Sequence, residues 1–249
     1  MENTVFFCFS GQDRLKYAQS LNFHLKNFGV DVWYDYEQIF LGDIGDTVNI
    51  EDGLHNSRIF ILFFSIRLFN FTQSTGATLE IDEIKKKIDN NQNLVIIPVF
   101  CDNSIPQIPP KYSWLLKYIY GELTESTGTY DLAIDVLKRL LHEKLKPVEY
   151  KNLLELSNLN LGDFINNLIR IYMSIDKNNI HVRITILYIM ISYLLEKNGV
   201  TDKVAYFTSN FIFNKIKLNL QISIQELICM ESILILLINN IICNFSDDM

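Results

Sequence analysis

Chemistry in this 249-residue chain has to come from carboxylates and loop polar groups, because the familiar devices are missing. Gly42 and Gly45 stand alone, and no Gly-x-Gly-x-x-Gly occurs, so there is no phosphate loop. His24, His55, His142 and His181 share no metal-ligand spacing and read as surface or hydrogen-bonded residues; no metal site is expected. No serine or cysteine nucleophile motif is present. What remains is Ser10-Gly11-Gln12-Asp13-Arg14, then Asp35-Tyr36-Glu37 running on to Gly42, then Glu80 with Glu83 one turn further. Such groups work by accepting hydrogen bonds and by countering positive charge. From position alone Glu80 reads as a first-turn helix acid favoured by the helix dipole. Glu83 reads as a partner of Lys86 or Lys87 at helical spacing.

The elements that position these groups alternate in period. Residues 4–9, 30–35, 58–64 and 94–100 are short β-branched and aromatic runs. All but the second are nearly continuous in apolar character, as strands covered on both faces should be. Between them lie helical periods, Leu15, Ala18, Leu21, Leu25 and Phe28, then Leu79, Ile81, Ile84 and Ile88, with Gly29 placed to cap the first. Alternating strand and helix predicts a mostly parallel sheet covered on both sides, with residues 102–111 as a loop and 130–145 as a closing helix. In such a sheet ligands bind in the crevice beyond the C-terminal strand ends, where all three polar loops emerge.

All five prolines and eight of ten glycines fall within residues 1–147, which puts a joint at Lys146-Pro147-Val148 and domains at 1–147 and 148–249. The second half reads as helices only. Phe164, Ile165, Leu168, Ile169, Tyr172 and Ile175 make one stripe; Ile184, Leu187, Tyr188, Ile191, Leu194 and Leu195 make another. Thr201 is placed to cap a third helix carrying Val204, Phe207, Phe211 and Ile212, and Ser223 with Glu226 has capping-box spacing before a fourth. Four such helices predict a bundle or small array.

Composition sets further limits. With 49% hydrophobic and 20% charged residues the chain is not intrinsically disordered. A net charge of -7 without a basic cluster argues against nucleic acid. Cys8, Cys101, Cys229 and Cys243 sit singly in or beside apolar runs and read as reduced core thiols of a cytoplasmic protein. No signal sequence opens the chain, and no uninterrupted apolar stretch reaches the roughly 18–20 residues of a membrane span, so no membrane association is expected.

Taken in order, the first-half segments resemble the Toll/interleukin-1 receptor (TIR) domain. Val5-Phe6-Phe7-Cys8-Phe9-Ser10-Gly11-Gln12-Asp13 is similar to its opening strand and first box. Gly29-Val30-Asp31-Val32-Trp33-Tyr34-Asp35, followed by Leu41-Gly42, resembles its second strand and BB loop, here residues 36–46. Leu54-His55-Asn56-Ser57-Arg58-Ile59 and Phe64-Ser65 resemble the flanks of its third strand, and Ser74 lies six before Glu80-Ile81. Two positions depart: Gly76 stands where an aromatic residue commonly precedes the glutamate, and Gly11 and Gln12 where arginine often occurs.

The resemblance implies a flavodoxin-like parallel sheet flanked by helices, followed by an all-α helical domain for assembly or sensing. It implies cleavage of the nicotinamide–ribose bond of NAD, with NAD as substrate and no separate cofactor, in a defence response of bacterial type. Glu80 then takes the catalytic position. Phe9, Ser10, Gly11, Gln12, Asp35, Glu37 and Gly42 become the substrate-binding set: loop donors for the pyrophosphate, acceptors for ribose or adenine, and the loop turn. It also implies homo-oligomers through TIR–TIR contacts and the helical domain. Two alternatives stay open: a TIR scaffold without activity, and a nucleoside deoxyribosyltransferase-like enzyme, whose glutamate segment Thr75-Gly76-Ala77-Thr78-Leu79-Glu80-Ile81 also resembles.

Overall fold

Aromatic and β-branched runs fix the sheet. The computed structural model describes residues 5–69, 76–90, 93–102, 104–124, 127–199 and 201–247. Five strands, β1 (Val5–Cys8), β2 (Val32–Trp33), β3 (Ile59–Phe64), β4 (Val95–Cys101) and β5 (Gly121–Leu123), form one sheet in the order β2-β1-β3-β4-β5. Every pairing is parallel. The order reverses between β1 and β3, the switch point where doubly wound sheets open a crevice. β1, β3 and all but one residue of β4 are buried, which is why their sequences read as unbroken apolar runs.

The chain divides into two compact units, residues 1–26 with 30–133, and residues 27–29 with 134–249. In the first, the helices are α1 (Gln19–Asn27), α2 (Asp35–Gln38), α3 (Gly45–Val48), α4 (Ile66–Phe69), α5 (Gly76–Asp89) and the start of α6 (Thr129–Leu145). α6 runs through the division at 133/134. One sheet face buries Phe6, Phe60, Leu62 and Phe100 against Ala77, Ile81 and Ile84 of α5, and each such side chain contributes about 1.5–3 kcal/mol.

Several expectations need correction. The helical period puts Leu15 on the apolar stripe of the first helix, but in the structure Leu15 is 80% exposed while Tyr17 is buried. Arg14–Ala18 forms a π-helical turn, in which the Gln19 N–H reaches back to the Arg14 carbonyl, and the wider turn rotates Leu15 outward. Leu79 is likewise exposed on α5. The second strand holds only two residues because α2 begins at Asp35. The proposed loop at 102–111 contains the 3₁₀ turn Ile105–Gln107, and a second such turn, Pro110–Lys117, starts within it. Cys243 is exposed, whereas Cys8, Cys101 and Cys229 are buried free thiols.

The second unit comprises the remainder of α6, then α7 (Leu153–Leu156), α8 (Asp163–Ser174), α9 (Ile180–Asn198), α10 (Lys203–Lys217) and α11 (Ile224–Asp247). α9 packs on α8, α10 and α11, as in a bundle. Tyr188 of α9 stacks on Phe213 of α10 with centroids 3.9 Å apart. The capping box forms as expected: Ser223 N–H donates to Glu226 Oε2 at 2.7 Å and Glu226 N–H to Ser223 Oγ at 3.3 Å. α10 is capped by Asp202, which accepts from Ala205 N–H, and not by Thr201. Asp is the stronger cap and sits immediately before the helix.

By mean hydropathy, residues Ile224–Cys243 of α11 are long and apolar enough to cross a membrane, although no uninterrupted run reaches that length. In the structure 61% of this window is buried within the protein. Its polar residues also have partners inside the unit. Glu226 pairs with Lys215 at 2.6 Å and Glu231 with Arg183 at 3.1 Å, and Asn239 holds Tyr150. α11 is therefore placed as a core helix.

Candidate functional site

Beyond β1 the chain turns through Ser10 into the 3₁₀ turn Gly11–Asp13. Phe9 and Ser10 are buried; Gly11 and Gln12 are exposed beyond the C-terminal end of β1. Asp13 is fully buried, accepts a hydrogen bond from Ser65 Oγ just past β3, and pairs with Arg67 at 3.1 Å. Burial pushes the Asp13 carboxyl above its ordinary pKa, with Ser65 and Arg67 pulling the other way. Arg67 also donates to the Gln12 carbonyl at 3.0 Å, so the first loop is tied to the end of β3.

The second loop is tied to the first by charge and rings. Arg14 pairs with Asp35 at 2.8 Å and lies over the Phe9 and Tyr36 rings, 5.7 and 5.3 Å from their centroids. The other Asp35 oxygen accepts from the Tyr36 N–H at 2.6 Å. Glu37 bends back onto α1, where Asn22 Nδ2 donates at 3.1 Å and Lys26 forms an ion pair. Both carboxylates are thus fixed by protein groups, and any ligand hydrogen bond would have to use lone pairs these contacts leave over. Gly42 takes φ +103°, so it sets a turn in the exposed loop, where Tyr36, Phe40, Leu41 and Ile44 all face outward.

Glu80 is not the first-turn acid its position suggests: it is the fifth residue of α5, beyond the first turn, and is only 8% exposed. α5 begins against the end of β1, where the Cys8 thiol donates to the Ala77 carbonyl at 3.4 Å. Burial, and then the neighbouring Glu80 charge, push the Cys8 thiol well above its usual range, so it stays protonated. Asn49 Nδ2 donates to Glu80 Oε1, and Asn49 Oδ1 accepts from the Trp33 indole N–H at 2.7 Å. Asn49 opens a π-helical turn, Asn49–Leu54, following α3. A Cβ at Gly53 would stand 2.3 Å from the Trp33 indole nitrogen, so the absence of a side chain there admits the ring.

The predicted residues therefore fall into two groups at the C-terminal side of the sheet. Phe9, Asp35 and Arg14 join Tyr36 in one; Glu80 joins Cys8, Asn49 and Trp33 in the other. Ser10, Gly11 and Gln12 border the first group, Glu37 is turned toward α1, and Gly42 sits on the open loop. Glu83 is paired with Lys86, as its spacing suggests. Ser74 and Thr75 lie outside the described residues. Among the described residues no group of three or more His, Cys, Asp or Glu side chains could hold a metal ion. Asn49 and Arg14 were given no role by sequence reasoning. Asn49 lies in a stretch with no helical or strand period, and Arg14's signal was its place in the polar loop Ser10–Arg14, one residue beyond the first box.

The family model of the TIR domain matches residues 5–137, more than half of the chain. Among curated proteins, none matches. The matched span takes in all five strands and both residue groups just described, and the sheet order agrees with the flavodoxin-like arrangement that the sequence implies. This chain belongs to the TIR domain family.

Proposed function

We propose that the TIR domain consumes NAD, cleaving the bond between nicotinamide and ribose. The observation that carries the reading is Glu80: a buried carboxylate in the second turn of α5, beside the end of β1, held by an amide donor. In NAD the leaving nicotinamide is a cationic pyridinium. As the bond breaks, its electron pair goes to the ring nitrogen and nicotinamide departs neutral, so no acid is required. The ribosyl centre becomes oxocarbenium-like, and a preorganised carboxylate beside it stabilises that charge. Capture by water, with loss of a proton to solvent, gives ADP-ribose; capture by an adenine nitrogen gives a cyclic product. The exposed Tyr36 ring, with Arg14 lying over it and paired to Asp35, offers an aromatic and cationic surface to the rest of the dinucleotide. By family resemblance the activity serves defence, with the helical unit sensing a trigger or driving assembly.

The test is nicotinamide release by Glu80→Gln, which keeps size and hydrogen bonding and removes the charge. A rate loss of about 10²–10³ is expected, with the far-ultraviolet circular dichroism spectrum unchanged. Equal rates in a robustly active wild type refute the site.

A second reading, a scaffold without activity, is favoured by the outward-facing Tyr36, Phe40, Leu41 and Ile44. A self-associating wild type that never releases nicotinamide selects it.

A further inference from the structure

Glu80 is held through a chain of three side chains, Trp33, Asn49 and Glu80, drawn from three separate elements. The direction of this chain is set chemically. An indole N–H can only donate, so the Asn49 amide must turn its oxygen to Trp33 and its NH₂ to Glu80. If Asn49 flipped, the amide oxygen would face the carboxylate and the indole N–H would lose its acceptor, and both changes are costly at a buried site. Asn49 is 7% exposed and Glu80 8%, so water competes little for either contact. The indole is itself located by Gly53, one turn after Asn49, where a Cβ would fall 2.3–2.6 Å from three indole atoms.

We infer that Asn49 is a positioning residue for Glu80, locked in its donor orientation by the Trp33 indole and by the missing side chain at Gly53. The inference rests on the NAD-cleaving reading above. Asn49 does not touch the reacting atoms; it fixes which way the carboxylate points, and the indole fixes which way the amide points. A carboxylate on a flexible side chain gains catalytic value when its orientation is settled before substrate arrives, and small misplacements are expensive in rate.

Steady-state nicotinamide release by the full chain tests this with Asn49→Ala, Trp33→Phe, the double variant, and Asn49→Ala in a Glu80→Gln background. Asn49→Ala should lower kcat about 10–100-fold with KM within about two-fold. Trp33→Phe keeps an aromatic ring, loses the N–H and should lower kcat several-fold. The double variant should be no slower than Asn49→Ala alone, and Asn49→Ala should add nothing once Glu80 is Gln, because each link acts only through the next. Additive losses, an unchanged kcat in folded Asn49→Ala, or a change confined to KM would overturn the inference.

A second readout does not depend on turnover. The Trp33 indole ¹H–¹⁵N resonance, assigned by its disappearance in Trp33→Phe, should shift in Asn49→Ala and, through Asn49, in Glu80→Gln. A resonance indifferent to Glu80 refutes the coupling even in an active enzyme. If the wild type releases no nicotinamide, the NAD reading and the kinetic role fall together. The resonance then still decides whether the three side chains are coupled.

Discussion

Ser65 at the end of β3 donates its hydroxyl hydrogen to the fully buried carboxylate of Asp13, one turn past the end of β1. Burial is the largest influence on this acid and raises its pKa, outweighing Ser65 and Arg67. A raised acid binds its proton more tightly folded than unfolded, so its contribution to stability falls as pH rises from the unfolded value, about 3.9, through the folded one. Asp13→Asn removes that charge while keeping an acceptor for Ser65. The variant should therefore gain stability relative to wild type as pH rises from below the unfolded value to neutrality, read from denaturation midpoints at those two pH values. A relative loss over the same interval would mean that the Arg67 pair dominates.

The capping box of α11 gives a graded pair of variants. Ser223→Ala removes one N-cap acceptor and should cost about 1 kcal/mol. Glu226→Gln also strips Lys215 of the carboxylate it meets at a nearly inaccessible position, 1% exposed, and should cost about 3–5 kcal/mol. Chemical denaturation ranks the two; a reversed order would show that Lys215 finds other partners at no cost.

The exposed loop can be separated from the fold. Leu41 has no shelter at all, and Phe40 and Ile44 are more than 70% exposed. Leu41→Asp should leave the melting temperature within about 1–2 °C, since surface substitutions cost under about 0.5 kcal/mol. If activity requires this loop to meet a neighbouring protomer, nicotinamide release per protomer should rise with protein concentration in wild type and not in Leu41→Asp. Retained concentration dependence would place assembly on another surface.

The sequence puts a proteolytic joint at Lys146-Pro147-Val148. In the structure the following Tyr150 is gripped by Asn239, whose Oδ1 accepts from the Tyr150 N–H at 3.1 Å and whose Nδ2 donates to its carbonyl at 2.8 Å. Trypsin should therefore cut slowly after Lys151 in wild type and several-fold faster in Asn239→Ala, because cleavage follows local release of the segment. Equal rates would show that the grip does not limit opening.

The legible parts of the fold were those whose side chains repeat. β1, β3 and β4 carry Phe, Ile and Val on both faces, and α5 carries Ile81, Ile84 and Ile88 at helical spacing. β5 has the sequence Gly121-Glu122-Leu123, too short and too ordinary to show a period. The π-helical turn at Arg14–Ala18 was hidden because Leu15 satisfies an α-helical stripe on paper. At the site, Glu80 was visible as a helix-start acid, and the resemblance gave it meaning. Asn49 was invisible: its role depends on an indole sixteen residues earlier and a carboxylate thirty-one residues later. Such long-range hydrogen bonds leave no local signature.

The burial of α11 bears on how the helical unit is made. Its anchoring partners Tyr150, Tyr172, Arg183 and Lys215 all precede it in the chain. During synthesis α8, α9 and α10 emerge before the helix that covers them. Until α11 docks, the faces of α9 and α10 that it covers have no partner, and α11 is itself a segment whose length and composition suit a lipid bilayer. Prompt docking onto waiting partners, rather than helix propensity alone, keeps this segment from aggregation or misdirection.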